Sequence, residues 1–168
     1  MSQTDPEMSS IRAFEPQDLD RIVELSLAAW APVFASFRRL LGDQLFFLAY
    51  PDWRESQSRA VRSTCSSPET DVWVAIVDGC PVGFVASRLK LASEPLAGEI
   101  EMIAVDPDCQ RSGIATRLLE HAIEHLHEAG VSLIEVATGG DPAHTPARTL
   151  YERAGFRALP LARYYRRP

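Results

Sequence analysis

The stretch Val105-Asp106-Pro107-Asp108-Cys109-Gln110-Arg111-Ser112-Gly113-Ile114-Ala115-Thr116 decides how the chain reads. An apolar strand stops at Asp106-Pro107, a short polar loop follows, and a glycine opens a helix. Unpaired backbone N–H groups gather at a helix start, and the helix dipole favours negative charge there. Arg111 adds a formal cation. Gly113 permits close approach of the backbone, and Ala115 is too small to fill the same space. These are the physical requirements for holding a pyrophosphate. The loop is not a P-loop, because G-x-x-x-x-G-K-[ST] is absent, and it is not a G-x-G-x-x-G dinucleotide turn. By itself it also reads as a well-capped strand-to-helix connection, so its meaning depends on what surrounds it.

Downstream, residues 112–129 have the period of an amphipathic helix, with Ile114, Leu118, Leu119, Ala122, Ile123 and Leu126 as its buried stripe and Gly130 as its stop. Residues 132–138 read as a strand and Gly139-Gly140-Asp141-Pro142 as a loop. Thr145 is placed as an N-cap and Pro146 as the first residue of a helix that ends near Ala154. Residues 156–166 are expected to close the sheet with one more strand or hairpin. Upstream, 99–105 is a strand. Residues 71–77 and 81–91 form a hairpin around Asp78-Gly79, a pair suited to positive φ. Residues 11–14 read as a first strand and 15–30 as a helix, which Pro32 perturbs or restarts. Residues 33–64 look helical and rich in aromatic rings. The pattern is α/β: a layered domain built on a hairpin-rich mixed sheet.

The chain has 168 residues, about one domain's worth. The sequence places a flexible tail over 1–9 and a single domain over 10–168. Acidic residues outnumber basic ones, 23 to 17, which discourages nucleic acid or an anionic membrane as the main partner and mildly favours a cationic small molecule. Apolar runs fall far short of the roughly 20 residues that span a bilayer. The N-terminus lacks the basic start and apolar run of a secretory signal. Cys65, Cys80 and Cys109 are odd in number and show no C-x-x-C spacing, which fits a reducing cytoplasm and argues against a cysteine-rich zinc site. His121-Ala122-Ile123-Glu124-His125 matches the H-x-x-E-H pattern of some zinc peptidases. Its helix begins at the pyrophosphate loop and must pack on the sheet, so the histidines are read as flanking groups and no metal is expected.

Three segments in order resemble the GNAT (Gcn5-related) N-acetyltransferases. Gln110-Arg111-Ser112-Gly113-Ile114-Ala115 is similar to the family's Q/R-x-x-G-x-G/A loop. Ile103-Ala104-Val105-Asp106-Pro107 is similar to the strand before it. Ala147-Arg148-Thr149-Leu150-Tyr151-Glu152-Arg153-Ala154-Gly155-Phe156 is similar to the family's A-x-x-L-Y-E-x-x-G-F segment. The resemblance implies the GNAT fold: a mixed, mostly antiparallel twisted sheet, splayed between two parallel central strands, with helices on both faces.

It also implies acetyl-CoA as co-substrate, bound in the gap between strands 99–105 and 132–138. Pantetheine would pair with the backbone of Ile103, Ala104 and Val105, and a β-bulge nearby would splay the sheet. The segment Gln110, Arg111, Ser112, Gly113, Ile114, Ala115 and Thr116 would hold the pyrophosphate through its amides. His144 stands where the family often has an asparagine touching the cofactor. Tyr151 matches the tyrosine near the thioester sulfur and would protonate the departing thiolate. Glu101, or Glu99, would take the proton of a primary amine, directly or through water. Both carboxylates share one strand face, which is costly unless that face is wet or paired. An ion pair with Arg88 on the neighbouring strand would also account for them. Trp30 and Phe34 would line the acceptor pocket, or serve as core or dimer contacts. A small cationic amine is the expected acceptor, in the cytoplasm, and a homodimer is a family-level expectation. A non-catalytic acyl-CoA sensor on the same fold is the alternative.

Overall fold

In the computed structural model, which describes residues 9–168, the sheet grows from the hairpin at Asp78-Gly79. Both turn residues have positive φ, 49° and 78°, as this two-residue turn requires. They join β2 (Thr70–Val77) to β3 (Cys80–Lys90). On one side β1 (Ser10–Ala13) pairs antiparallel with β2. On the other, β4 (Ala97–Val105) pairs antiparallel with β3, and β5 (Leu133–Val136) pairs parallel with β4. The five strands lie in sequence order, with β5 at the edge.

Helices cover both faces. α1 (Leu19–Ala49) and α2 (Trp53–Ser66) lie on one, where Ile22, Leu25 and Val61 pack on Val74, Phe84 and Ala104. α3 (Ile114–Glu128) and α4 (Thr145–Arg153) lie on the other, where Leu118, Leu119, Leu126 and Tyr151 pack on Val85, Ile100 and Val105. Adjacent residues of β4 thus serve opposite cores, as the strand period of two demands.

Several boundaries differ from the sequence reading. Pro32 does not end the first helix. Apolar and small residues bury themselves before it (Ile22, Val23, Leu25, Ser26) and after it (Val33, Ser36), and this packing outweighs the hydrogen bond a proline removes. The break falls at Gly42, with φ 71°. His144, not Thr145, is the N-cap of α4, because a 3-10 turn over Pro142–His144 precedes the helix. Of the tail expected over 1–9, residues 1–8 lie outside the described residues. Ser9 is buried and its hydroxyl accepts a hydrogen bond from Arg117 of α3.

The closing strand does not form. Residues 154–168 carry no strand, and Leu159, Leu161 and Tyr164 are exposed. Pro160 has no N–H to give a ladder, and β5 offers only four residues to pair with. The C-terminal segment is instead tied to the hinge between α1 and α2: the Tyr50 and Tyr165 hydroxyls lie 2.9 Å apart, and Arg167 donates to Gln44 at 3.2 Å. Arg163 and Arg167 take part in this docking. Among the described residues no helix is long and apolar enough to cross a membrane.

Leu118 is fully buried between α3 and the sheet. Leu118→Ala is expected to lower the unfolding free energy by about 3 kcal/mol, through lost burial and a residual cavity. Urea unfolding checks this; a loss below about 1 kcal/mol would mean that α3 is not packed as described.

Candidate active site

β4 is irregular where the resemblance needs it to be. Ala86 pairs with Met102 and Ser87 with Ile100, so Glu101 has no partner of its own on β3 and forms a bulge. On the other side, parallel pairing with β5 ends at Ile100 and Val136. Residues 101–105 have no β5 partner, and an open strand edge follows. Ile103 and Val105 turn their side chains to the α3 core and Ala104 to the α1 core, which leaves the main chain of this edge as its binding surface. The Val105 carbonyl already accepts one hydrogen bond, from the Gln110 side chain at 3.1 Å.

The loop after β4 is shaped by its own hydrogen bonds. Asp106 accepts from the Asp108 amide at 2.9 Å, a 3-10 turn runs over Pro107–Cys109, and the Ser112 hydroxyl donates to the Cys109 carbonyl. Arg21 of α1 pairs with Asp106 and fixes the loop to the other layer. Arg111 and Gly113 then adopt left-handed φ, 59° and 82°. Such turns point successive N–H groups into one concavity. Among the described residues, the amides of Arg111, Ser112, Gly113, Ile114, Ala115 and Thr116 donate to no protein acceptor. The Gln110 amide differs: it donates to Pro107, and the Gln110 side chain braces β4. Ile114 buries its side chain in the α3 core, so it can offer a ligand only its amide. The Arg111 side chain is exposed and forms no ion pair among the described residues.

Tyr151 sits on α4 with its ring in the α3 core and against Phe156, 6.0 Å between centroids. Burial pushes its hydroxyl up to about 12, so it remains a proton donor throughout the neutral range. It has no side-chain hydrogen bond among the described residues. A cavity of about 610 Å³ runs along β5, in the place a closing strand would fill, and both Tyr151 and Glu99 stand in its wall.

Glu99 and Glu101 do share a face, and Arg88 of β3 binds both. Its Nε and Nη2 donate to Glu99 Oε2 at 3.1 and 2.8 Å, and its Nε lies 3.0 Å from Glu101 Oε1. The Thr70 hydroxyl donates to Glu101 Oε2 at 3.3 Å. The carboxylates are 27% and 21% exposed, dry enough to need a partner. The ion pair that the sequence left open is therefore present.

His144 is placed by the 3-10 turn before α4. Its Nδ1 is bound to Asp141 Oδ1, which leaves Nε2 for another partner. Burial alone would push the Asp141 carboxyl up. The neighbouring Ser36 hydroxyl, buried but outside good hydrogen-bonding geometry, and His144 outweigh it and hold the group below its ordinary value. Arg148 donates to the carbonyls of Gly139 and Asp141 at 2.6 and 2.8 Å, pinning the loop. Phe37 of α1 lies 5.8 Å from the His144 ring.

Phe34 and Trp30, grouped by the sequence, part company. Phe34 stacks on Trp53 at 4.3 Å and joins Phe37 and Tyr50 in an aromatic cluster between α1 and α2. Trp30 packs against the α1 core. His121 and His125 meet the edge of Trp73 at 4.4 and 5.3 Å, and His125 pairs with Asp71 at 3.1 Å. Among the described residues no group of three or more His, Cys, Asp or Glu could hold a metal ion.

The sequence reading did not single out Asp141 or Tyr50 for the site. Asp141 stands three residues before His144, a spacing that signals a local side-chain turn. Nothing local signals Tyr50, whose environment is supplied by Tyr165 over a hundred residues away.

The family model described as "Acetyltransferase (GNAT) family" matches residues 34–156. A mycothiol acetyltransferase of Sanguibacter keddieii is 30% identical over 159 residues, covering 88% of this chain and 43% of that protein. A [ribosomal protein bS18]-alanine N-acetyltransferase of Escherichia coli is 41% identical over 63 residues, covering 38% of this chain and 41% of that one. The chain thus spans less than half the length of these curated relatives. Among solved structures, a putative GNAT-family acetyltransferase from Desulfovibrio desulfuricans superposes with a TM-score of 0.69 at 22% identity, covering 90% of this chain and 87% of that one. An aminoglycoside N-acetyltransferase in complex with CoA superposes with a TM-score of 0.60 at 16% identity, covering 95% and 94%. At those identities the likeness is one of fold.

Gly113→Val places a β-branched side chain at φ 82°, a conformation costing of the order of 1–3 kcal/mol. Calorimetric titration with CoA is expected to show affinity weakened about tenfold or more, with the fold retained and the melting temperature lowered by only about 2–12 °C. Undiminished affinity would remove this loop from the binding site.

Proposed function

This chain belongs to the GNAT family of acetyltransferases, and from that premise we propose that it transfers an acetyl group from acetyl-CoA to a primary amine, a small cationic one. The observation that carries the reading is two sets of unpaired main chain close in sequence, the β4 edge beyond Ile100 and the amides of residues 111–116 at the start of α3. A diphosphate needs such a nest, and a peptide-like pantetheine arm needs such an edge. The fit to acetyl-CoA therefore rests on main chain, with the exposed Arg111 guanidinium in addition. His144 Nε2 is the side-chain donor or acceptor we assign to the cofactor, in place of an asparagine.

Acetyl-CoA supplies the acyl group as co-substrate, so no covalent enzyme intermediate is required. The acceptor arrives as an ammonium ion drawn by Glu99 and Glu101, and Glu101 takes its proton, directly or through water. The free amine attacks the thioester carbonyl. A main-chain N–H of residues 103–105 stabilises the oxygen as negative charge develops on it. Tyr151, kept protonated by burial, gives its proton to the departing sulfur. The balance is one acetyl group transferred, one proton to the thiol and one to solvent. Phe34 and its aromatic neighbours are assigned to the acceptor side; Trp30, seated against the α1 core, supports that wall.

Release of free thiol from acetyl-CoA is to be measured with spermidine, neamine, tryptamine and an alanine-terminated peptide. Wild type is expected to turn over at least one of them. Tyr151→Phe and Glu101→Gln should each lower kcat by about 10²-fold with CoA binding retained. Because the Tyr151 hydroxyl titrates near 12, the donor should remain available up to about pH 10. Full activity in Tyr151→Phe would remove the assigned acid. Tight CoA binding without thiol release on any amine would favour the sensor.

A further inference from the structure

Three groups form one electrostatic unit on the α1 face of the sheet: Glu99, the bulged Glu101, and Arg88 between them. The fork of Arg88 makes three contacts of 3.1 Å or less with the two carboxylates. It occupies Glu99 Oε2 and Glu101 Oε1, two of the four carboxylate oxygens open to an incoming ammonium. Glu99 lies in the wall of the β5 cavity together with Tyr151, the residue assigned as the acid. We propose that Arg88 is a specificity-determining residue for the acceptor: an internal cation that competes with the substrate's ammonium for Glu99 and Glu101. The inference rests on the acetyltransferase reading above and adds to it how the acceptor's charge is selected.

The physics is a charge exchange. Two half-buried carboxylates on one strand face need a counter-charge, and Arg88 provides it in the resting protein. The unit keeps one net negative charge, two carboxylates against one guanidinium. Charged neighbours do not alter its sign: Lys90 is paired with Glu135, and Glu69 adds a further negative field at Arg88. Arg88 is 40% exposed, so its side chain can withdraw into water when a better-placed cation arrives. An amine that cannot displace the fork stays outside; a neutral acceptor gains nothing from the exchange. Selection thus works by raising the threshold for every amine.

The test is the affinity of an amine for the protein saturated with CoA, where no chemistry can occur, followed by steady-state kinetics with acetyl-CoA. Tryptamine and spermidine are the probes. Arg88→Met keeps the apolar stem and removes the charge. It is expected to bind both amines about five- to tenfold more tightly, the size of the half-exposed ion pairs it abolishes. KM for the amine should fall by the same factor, while KM for acetyl-CoA stays within threefold. Arg88→Lys keeps a competing cation and should return amine affinity towards that of wild type. A merely structural role predicts the opposite sign, since freed carboxylates would splay and amine affinity would drop. Unchanged or weaker amine binding in Arg88→Met overturns the proposal, and Arg88→Gln serves as the second variant should the methionine form not fold. Tighter amine binding without thiol release in any variant would support the role of Arg88 and sink the acetyltransferase reading. Turnover by wild type with unaltered amine affinity in Arg88→Met would do the reverse.

Discussion

The structure turns on one irregularity of hydrogen bonding. Glu101 is an extra residue in β4, and beyond it the strand no longer reaches β5. A regular parallel pair would have used the main-chain donors that face β5 along residues 101–105. The bulge leaves that edge open, and an open edge in a protein interior is costly unless something pairs with it. The amides at the start of α3 are a second set of unpaired donors, separated from that edge by a loop whose own amides are taken by the protein. Both features concern main chain only, so side-chain identity there is constrained by packing: Ile103, Val105 and Ile114 belong to the α3 core and Ala104 to the α1 core.

The two layers of helices hold this opening in different ways. α3 and α4 are fixed by apolar burial against the sheet, with Leu118, Leu119 and Leu126 fully enclosed. The α1 layer is tied near the opening by Arg21 to Asp106 and by Phe37 beside the Asp141–His144 pair. Where the sheet has no strand outside β5, the C-terminal segment crosses to Tyr50 and Gln44 and frames a cavity instead of filling it. The charges of the site are arranged on the same plan. The carboxylates of β4 are not left bare but are held in reserve by Arg88, whereas the Tyr151 hydroxyl is made a persistent acid simply by being dry.

The sequence by itself determined the parts that are local in the chain. The positive-φ pair Asp78-Gly79 set the hairpin, the stripe from Ile114 to Leu126 set the face of α3, and the Arg111–Thr116 segment set the run of unpaired amides at its start, because each needs only neighbours a few residues away. The family resemblance followed from the same local patterns. What only the tertiary structure decided depends on partners distant in the chain. Helical period gave no sign that α1 would run through Pro32; packing on β2, β3 and β4 settled that. The open edge of β5 was hidden because an apolar run after α4 looks like a strand until one asks what it can pair with, and Pro160 and the short β5 leave it little. The bond of Arg88 to both glutamates, the separation of Trp30 from Phe34, and the docking of Tyr165 on Tyr50 join strands, helices and a terminus whose proximity no sequence window contains.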